Sequence, residues 1–433
     1  MGAARRHSLG DGALLFLGNY NGTLAAARCL GEHGIDVALA DPSPLVRARA
    51  SRYVRHFERA PPLNDAGQFM DWLLDRGRGA ARKSLAGRVL FPATDEQVFL
   101  FARHRDELSR HYRLYQPSFD TVYRILNKQR LYEACAQAGV KYPTTWFPRG
   151  EAEMRGLLPE IRVDVMVKPK TQIQLKTKAK GTDIPSGASI ADCYARFARG
   201  NRYGPEVVAH DAEVAWPMIQ AYHRSETHPI YSLAGFIGDS GAPFLVRAAA
   251  KVLQRPRNMG VGVCFEAADL DVPLAERIAA LCRNLGYCGI FDIEFIQHQG
   301  EFLLIDFNPR AYGQMAFEIA RGIPGPYLHY LEAIRDERRL AEAYRLAGNW
   351  QAQGREAYCH ELLLSLMNAV QGANQMLTGL ESERWGSWMR ARRDQLTDAV
   401  RHRGDPGPSA VDLMRHVADF LRHPRSFVQS LMR

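Results

Sequence analysis

The sequence predicts a mixed α/β and α+β chain, with a Rossmann-like N-terminal domain, a strand-rich central domain and a helical C-terminal extension. Three observations predict it. A strand–helix–strand unit opens the chain, two apolar runs alternating with acidic residues form a hairpin near residue 300, and apolar residues beyond 331 recur at helical spacing. The 433 residues allow about three domains at ~150 residues each. The boundaries are placed at 1–118, 119–330 and 331–433.

The first domain opens with Ala13–Gly18, a buried strand, then a turn at Asn19–Gly22. A helix follows from Thr23, its possible N-cap, to Glu32, and Ile35–Ala40 is the next strand. Gly18-x-x-x-Gly22 with Asp41 beyond superficially resembles a dinucleotide fingerprint. It is not GxGxxG, so the segment is read as a Rossmann-like scaffold without an assigned dinucleotide. Arg88–Phe91 is a further strand, and Pro92–Glu96 follows at its carboxyl end, where open α/β sheets place ligands. Asp95 is therefore a candidate substrate contact or, equally, a helix cap, as is Glu96.

In the central domain Asn127-Lys128 stands on a helix ending near Ala138. Asp164–Lys168 is a strand stopped by Pro169, and 171–184 is a hairpin or a mobile loop. Strands follow at Trp216–Tyr222, Ile230–Ile237 and Phe244–Leu253, then a helix at Pro273–Leu285. In the extension, Leu362, Leu363, Leu366, Met367 and Val370 give an apolar helical stripe that packs onto the body or forms a homodimer or partner contact.

Composition narrows the function classes. Hydrophobic residues are 46% and charged residues 24%, which argues against disorder. No apolar run approaches the roughly 20 residues of a membrane span. Ala13–Leu17 is too short for a signal-peptide core, and the seven cysteines contain no CxxC pair, so a cytoplasmic protein is expected. The net charge of +9 comes from arginines spread along the chain, with no basic tail, so nucleic acid is not an expected partner. Only nine basic residues are lysines, and five of them fall within Lys168–Lys180. Lysine is a compact point charge suited to phosphate oxygens.

The chemistry concentrates in 289–310. His298-Gln-Gly300 is a turn between two apolar runs. Opposed positions then sum to about 600, so Glu294 faces Asp306 and Asp292 faces Asn308, all four on one face. Phe291, Ile293 and Phe295 meet Leu303, Ile305 and Phe307 on the other. Three carboxylates and an amide in an apolar hairpin repel one another and call for a cation. Oxygen donors without His or Cys favour Mg²⁺, which usually brings phosphates.

Asp306-Phe-Asn308-Pro-Arg310, preceded by Glu294-Phe295, resembles the metal-binding end of the ATP-grasp superfamily. Asn127-Lys128, Gly139–Pro143, Val167-Lys168-Pro169 and Ile219–Tyr222 occur in the matching order. The similarity spans about 12–330 and is greatest to the carboxylate–amine ligase branch that includes D-aspartate ligase, where a Phe-Pro-x-x-Asp-Glu-like stretch such as 91–96 also occurs. It implies a pre-ATP-grasp domain, a two-lobed ATP-grasp domain, and ATP with Mg²⁺, two ions with Mn²⁺ as a substitute. Lys128 and Lys168 match the phosphate-holding lysines, and the Gln220, Ala221 and Tyr222 strand matches the hinge that reads adenine. Glu294, Asp306 and Asn308 match the metal ligands, and Arg310 matches the residue that neutralises phosphate. Asp292 joins them from the hairpin reading alone.

Two departures stand out. The loop after Lys168 is Lys-rich instead of Gly-rich, which makes Lys176, Lys178 and Lys180 candidate phosphate contacts and 170–181 a loop ordered by nucleotide. Ala221 stands where an acidic ribose contact is usual, with Glu226 as a possible substitute. Arg247 and Lys251 share a strand face and are candidate catalytic cations, while Tyr312 and Gln314 are candidate substrate contacts. The expected reaction is amide formation between small-molecule carboxylate and amine substrates through an acyl phosphate. The alternatives are a catalytically silent nucleotide-binding or assembly protein, and carboxylase or kinase chemistry on the same fold.

Overall fold

The structure is a computed structural model describing residues 12–79, 85–176, 182–184, 189–223, 229–239, 243–256, 260–349, 356–377 and 379–432. The N-terminal sheet has four parallel strands in the order Val54–Arg59, Asp36–Asp41, Gly12–Phe16, Val89–Phe91. Every residue of Gly12–Phe16 is buried, as its uninterrupted apolar run requires of a central parallel strand. The helix after it runs Asn21–Glu32 without a side-chain cap. Thr23 is not that cap: it lies inside the first turn, and its hydroxyl donates to the Phe16 carbonyl at 2.6 Å.

The fingerprint-like residues serve the chain itself. Asp41 is buried and accepts from the Gly18 amide at 2.7 Å and the Ser43 amide at 2.8 Å. A Cβ on Gly22 would meet the Tyr312 carbonyl oxygen at 2.5 Å, so this glycine lets the helix approach the segment after the hairpin.

A small antiparallel sheet has the order Thr145–Trp146, Met218–Ala221, Val165–Lys168, Thr182–Ile184. A larger sheet of seven strands runs Glu301–Asn308, Gly289–His298, Ile230–Ile237, Phe244–Arg255, Val261–Ala267, Ala357–Cys359, Leu396–Asp398. The last two come from the C-terminal stretch, which therefore adds sheet as well as helices. The helix Glu361–Ala373 packs onto this body: Leu364 and Met367 join Leu253, Val263 and Leu431 in one core cluster. All seven cysteines are buried and unpaired. Among the described residues no helix is long and apolar enough to cross a membrane.

The stretch after Lys168 is described as far as Lys176. Ile173 is buried in the core beneath the N-terminal sheet. The Lys128 amide donates to the Lys170 carbonyl at 2.8 Å, the Gln174 amide to Glu96 at 2.8 Å, and the Lys176 amide to the Arg202 carbonyl at 2.8 Å. Lys178, Lys180 and Glu226 lie outside the described residues.

Candidate active site

A cavity of about 380 Å³ opens between the small sheet and the large one. Met166, Ile230, Ile296, Ile305 and Phe307 supply apolar wall, and Asp95, Lys128, Lys168, Lys251, Glu294 and Asp306 supply charge. Gln220, Ala221, Tyr222 and His223 line it as well. Gln220 is fixed by donating to the Tyr132 hydroxyl at 3.0 Å and the Thr145 hydroxyl at 2.9 Å. The Ala221 amide donates to the Thr144 carbonyl and the Tyr222 amide to the Asp164 carbonyl, both at 2.8 Å. Those two amides are therefore already engaged within the chain.

Two element ends aim the lysines. Asn127 caps the helix Lys128–Gln137 by accepting from the Gln129 amide at 3.0 Å, which sets Lys128 in the first turn. Lys168 ends the strand Val165–Lys168, which Pro169 cannot continue. Its amine has no hydrogen-bond partner among the described residues. Burial, then the neighbouring Lys128 ammonium, depress its pKa from 10.5 to about 7, against the pull of Asp306.

The hairpin pairs as its sequence predicts at the functional end: Asp292 opposite Asn308 and Glu294 opposite Asp306. Beyond Glu294 the register shifts, so Phe295 faces Leu304 and Ile305 is left as a bulge. This corrects the expected apolar face. Leu304, not Leu303, is buried in the core, and Ile305 lines the cavity beside Asp306.

Each carboxylate has a different partner. Lys128 bonds Asp306, and Lys251 bonds Glu294 at 2.6 Å. Burial would raise the Asp306 pKa, but Lys128, Arg310 and Lys168 together hold it below the usual range. Asp292 is 2% exposed and, among the described residues, accepts only from the side-chain amides of Gln314 at 3.0 Å and Asn308 at 3.3 Å. Burial, then Glu294, push its pKa well above the usual carboxylate value. Arg310 donates to Asp95 at 2.6 Å, to the Asn308 side-chain Oδ1 at 3.0 Å and to the Tyr20 hydroxyl at 3.3 Å. A chain of polar contacts thus runs from Asp95 through Arg310 and Asn308 to Asp292.

The donor set is hard and anionic, as a Mg²⁺ site requires. In this conformation ammonium groups cap the Asp306 and Glu294 oxygens. Among the described residues the one set of three or more metal-type side chains whose ligand atoms converge is His360, Asp412 and His416, away from the hairpin.

The remaining candidates separate. Lys176 is exposed and does not line the cavity. Arg247 lies on the functional face but bonds the Arg321 carbonyl at 3.2 Å and does not line the cavity either. Tyr312 is buried beside Glu318, and Gln314 supports Asp292. Tyr20 escaped the sequence reading. The signal was there: it follows a strand's carboxyl end, a rule applied only to 92–96.

No family model matches the chain, and no curated protein matches it. Solved structures do. The biotin carboxylase β-γ-ATP complex from Campylobacter jejuni aligns at TM-score 0.55 and 14% identity, over 80% of this chain and 72% of that one. N5-carboxyaminoimidazole synthetase from Staphylococcus aureus aligns at 0.53 and 13%, over 74% and 77%. Phosphoribosylglycinamide synthetase from Anaerococcus prevotii aligns at 0.53 and 14%, over 79% and 78%. The chain has the ATP-grasp fold. Its cavity lies between the two sheets of that body, lined by Glu294, Asp306, Lys128 and Lys168, whereas Asp292, Asn308 and Arg310 do not line it.

Proposed function

We propose that the protein is an ATP-dependent carboxylate–amine ligase, with the nucleotide and metal site in 119–330. The observation that carries this reading is the pairing of free and shared cations with a carboxylate hairpin inside one cavity of an ATP-grasp fold. Apolar residues around Met166 and Ile296 accept the base, and Lys128 and Lys168 take the phosphates. Glu294, Asp306 and Asn308 would hold Mg²⁺, which supplies charge neutralisation to the transferring phosphoryl group. Lys128 and Lys251 then exchange their carboxylate partners for phosphate oxygens.

A substrate carboxylate oxygen attacks the γ-phosphorus, ADP leaves, and an acyl phosphate forms. An amine attacks the acyl carbon, phosphate leaves, and the amine loses a proton. No protein nucleophile is needed; alignment and charge neutralisation do the work. The family resemblance gives Arg310 the role of neutralising the departing phosphate; in this conformation Asp95 and Tyr20 hold it outside the cavity lining. A second reading, phosphorylation of bicarbonate by the same route, is favoured by the carboxylase names among the structural neighbours.

Incubation with ATP·Mg²⁺ and a panel of carboxylates, bicarbonate and amines, read by phosphate release and product mass, tests both. Amide product with stoichiometric phosphate is expected. ATP turnover that needs bicarbonate selects the second reading, and phosphate transfer that ends on a stable phosphorylated product overturns both.

A further inference from the structure

A second cavity, of about 370 Å³, lies where the N-terminal sheet, the large sheet and the helix Gly407–Arg422 meet. It adjoins the first through the end of the strand Phe244–Arg255, where Gln254 lines the first cavity and Arg255 the second. Tyr20 lines it and accepts from Arg310 at 3.3 Å.

Its charge is set by three guanidiniums, Arg47, Arg255 and Arg415. Arg47 is spoken for: it bonds Asp412 at 3.3 Å and the Asn19 carbonyl. Among the described residues Arg415 reaches only the Leu45 carbonyl, at 3.1 Å. Arg255 is partly buried and meets no carboxylate among the described residues. The acidic lining is Asp412, already shared by Arg47 and His360, and Asp419, which is exposed.

His360, Asp412 and His416 converge closely enough to suggest a metal. The guanidinium on Asp412 argues against it. A cation there would compete with Arg47 for the same carboxylate and face Arg415 as a like charge. The cavity's unspent charge is positive, and what it lacks is an anion.

We propose that this second chamber binds the co-substrate of the ligase reaction, a small molecule carrying an oxyanion (carboxylate or phosphate ester) that Arg255 and Arg415 grip. The reacting end then lies toward Tyr20 and Arg310, and the acidic group lies away from it. Arginine forks match both oxyanions bidentately. The inference rests on the ligase reading for the substrate's role, but not for the binding itself.

Thermal melts of the full chain test it, with the first cavity filled by a nonhydrolysable ATP analogue and Mg²⁺. The probes are inorganic phosphate, succinate and zinc chloride. Phosphate or succinate should raise Tm, and whichever acts more strongly names the oxyanion. In Arg255→Gln and in Arg415→Gln the half-saturating concentration should rise at least about tenfold, the loss of one charge-assisted contact. The shift caused by the ATP analogue should be unchanged. Arg415 is partly exposed on a helix, so its variant reads out even where Arg255→Gln does not fold. No anion response in the wild type, or an unchanged one in the variants, overturns the proposal. So does a zinc response abolished by His416→Gln without an anion response. An intact anion response without any nucleotide shift would instead sink the ligase reading and leave the chamber standing.

Discussion

Asp405, at the foot of the last long helix, and Asp292, in the central hairpin, are almost equally buried, at 1% and 2% exposure. Asp405 accepts from Arg28 at 2.9 Å, from the Ser51 hydroxyl at 2.8 Å and from the Arg52 amide at 2.8 Å. It has a full charge partner and complete hydrogen bonding, and it fastens the C-terminal stretch to the N-terminal sheet. A Cβ on Gly407 would meet the Ala50 carbonyl oxygen at 2.2 Å, which shows how closely the two segments seat. Asp292 has two amides, no cation of its own, and Glu294 nearby. Burial of a charge is tolerated when it is paired and bonded. Asp405 carries its charge partner in the fold, whereas Asp292 is held by side-chain amides alone among the described residues.

The largest expected effect separates the two regions outright. Asp306→Asn should lower ATP turnover by roughly 10³-fold or more, because it removes charge that a transferring phosphoryl group's metal requires. The fold should be retained, since Lys128 can still donate to the amide oxygen. Turnover and circular dichroism on the same preparation check this. Near-normal phosphate release would reduce the hairpin to a polar sheet face.

Asp405→Ala should do the reverse. It leaves the buried Arg28 guanidinium without its carboxylate, at a cost of about 3–5 kcal/mol. Denaturant unfolding would measure that loss, while stabilisation by ATP·Mg²⁺ in the protein that remains folded should persist. A loss below about 1 kcal/mol would mean that Asp405 is no more than a surface-type pair.

The same contrast explains what the sequence could reveal. The hairpin was legible because its residues are near neighbours: a Gln-Gly turn fixes the register, and a period of two puts Asp292, Glu294, Asp306 and Asn308 on one face. The Ile305 bulge was not, since nothing in a run of apolar residues marks which one drops out of the ladder. Three-residue strands such as Ala357–Cys359 are too short to show a period. Asp95 was read as a substrate contact or a cap, yet its bond to Arg310 joins residues 215 apart. The Arg47, Arg255 and Arg415 cavity is assembled from three separate elements of a chain rich in arginine, so no local pattern announced it. Asp405 lies in a Gly-Asp-Pro-Gly-Pro run, and its role appears once Arg28 and Ser51 are brought to it.

Lys168 tests the comparison most finely, through pH. Its amine has no carboxylate of its own, and burial with Lys128 nearby lowers its pKa from 10.5 to about 7. Between those values the unfolded chain holds the proton more often than the folded one, so this residue's contribution to stability improves as pH rises through 7. Nucleotide binding has the opposite sign. Triphosphate favours the ammonium, so the complex holds a proton that the free protein has partly lost. Affinity should be level below about pH 7 and fall above it, by at most about tenfold per pH unit, with uptake of up to one proton. Titration calorimetry from about pH 6 to 9, in buffers of different ionisation enthalpy, reads both quantities. Lys168→Arg keeps its charge throughout this range and should flatten the profile even where its geometry weakens binding. Proton-neutral, pH-independent binding by the wild type would show that Lys168 does not meet the phosphates, and that Lys128 and Lys251 alone answer the charge of the nucleotide.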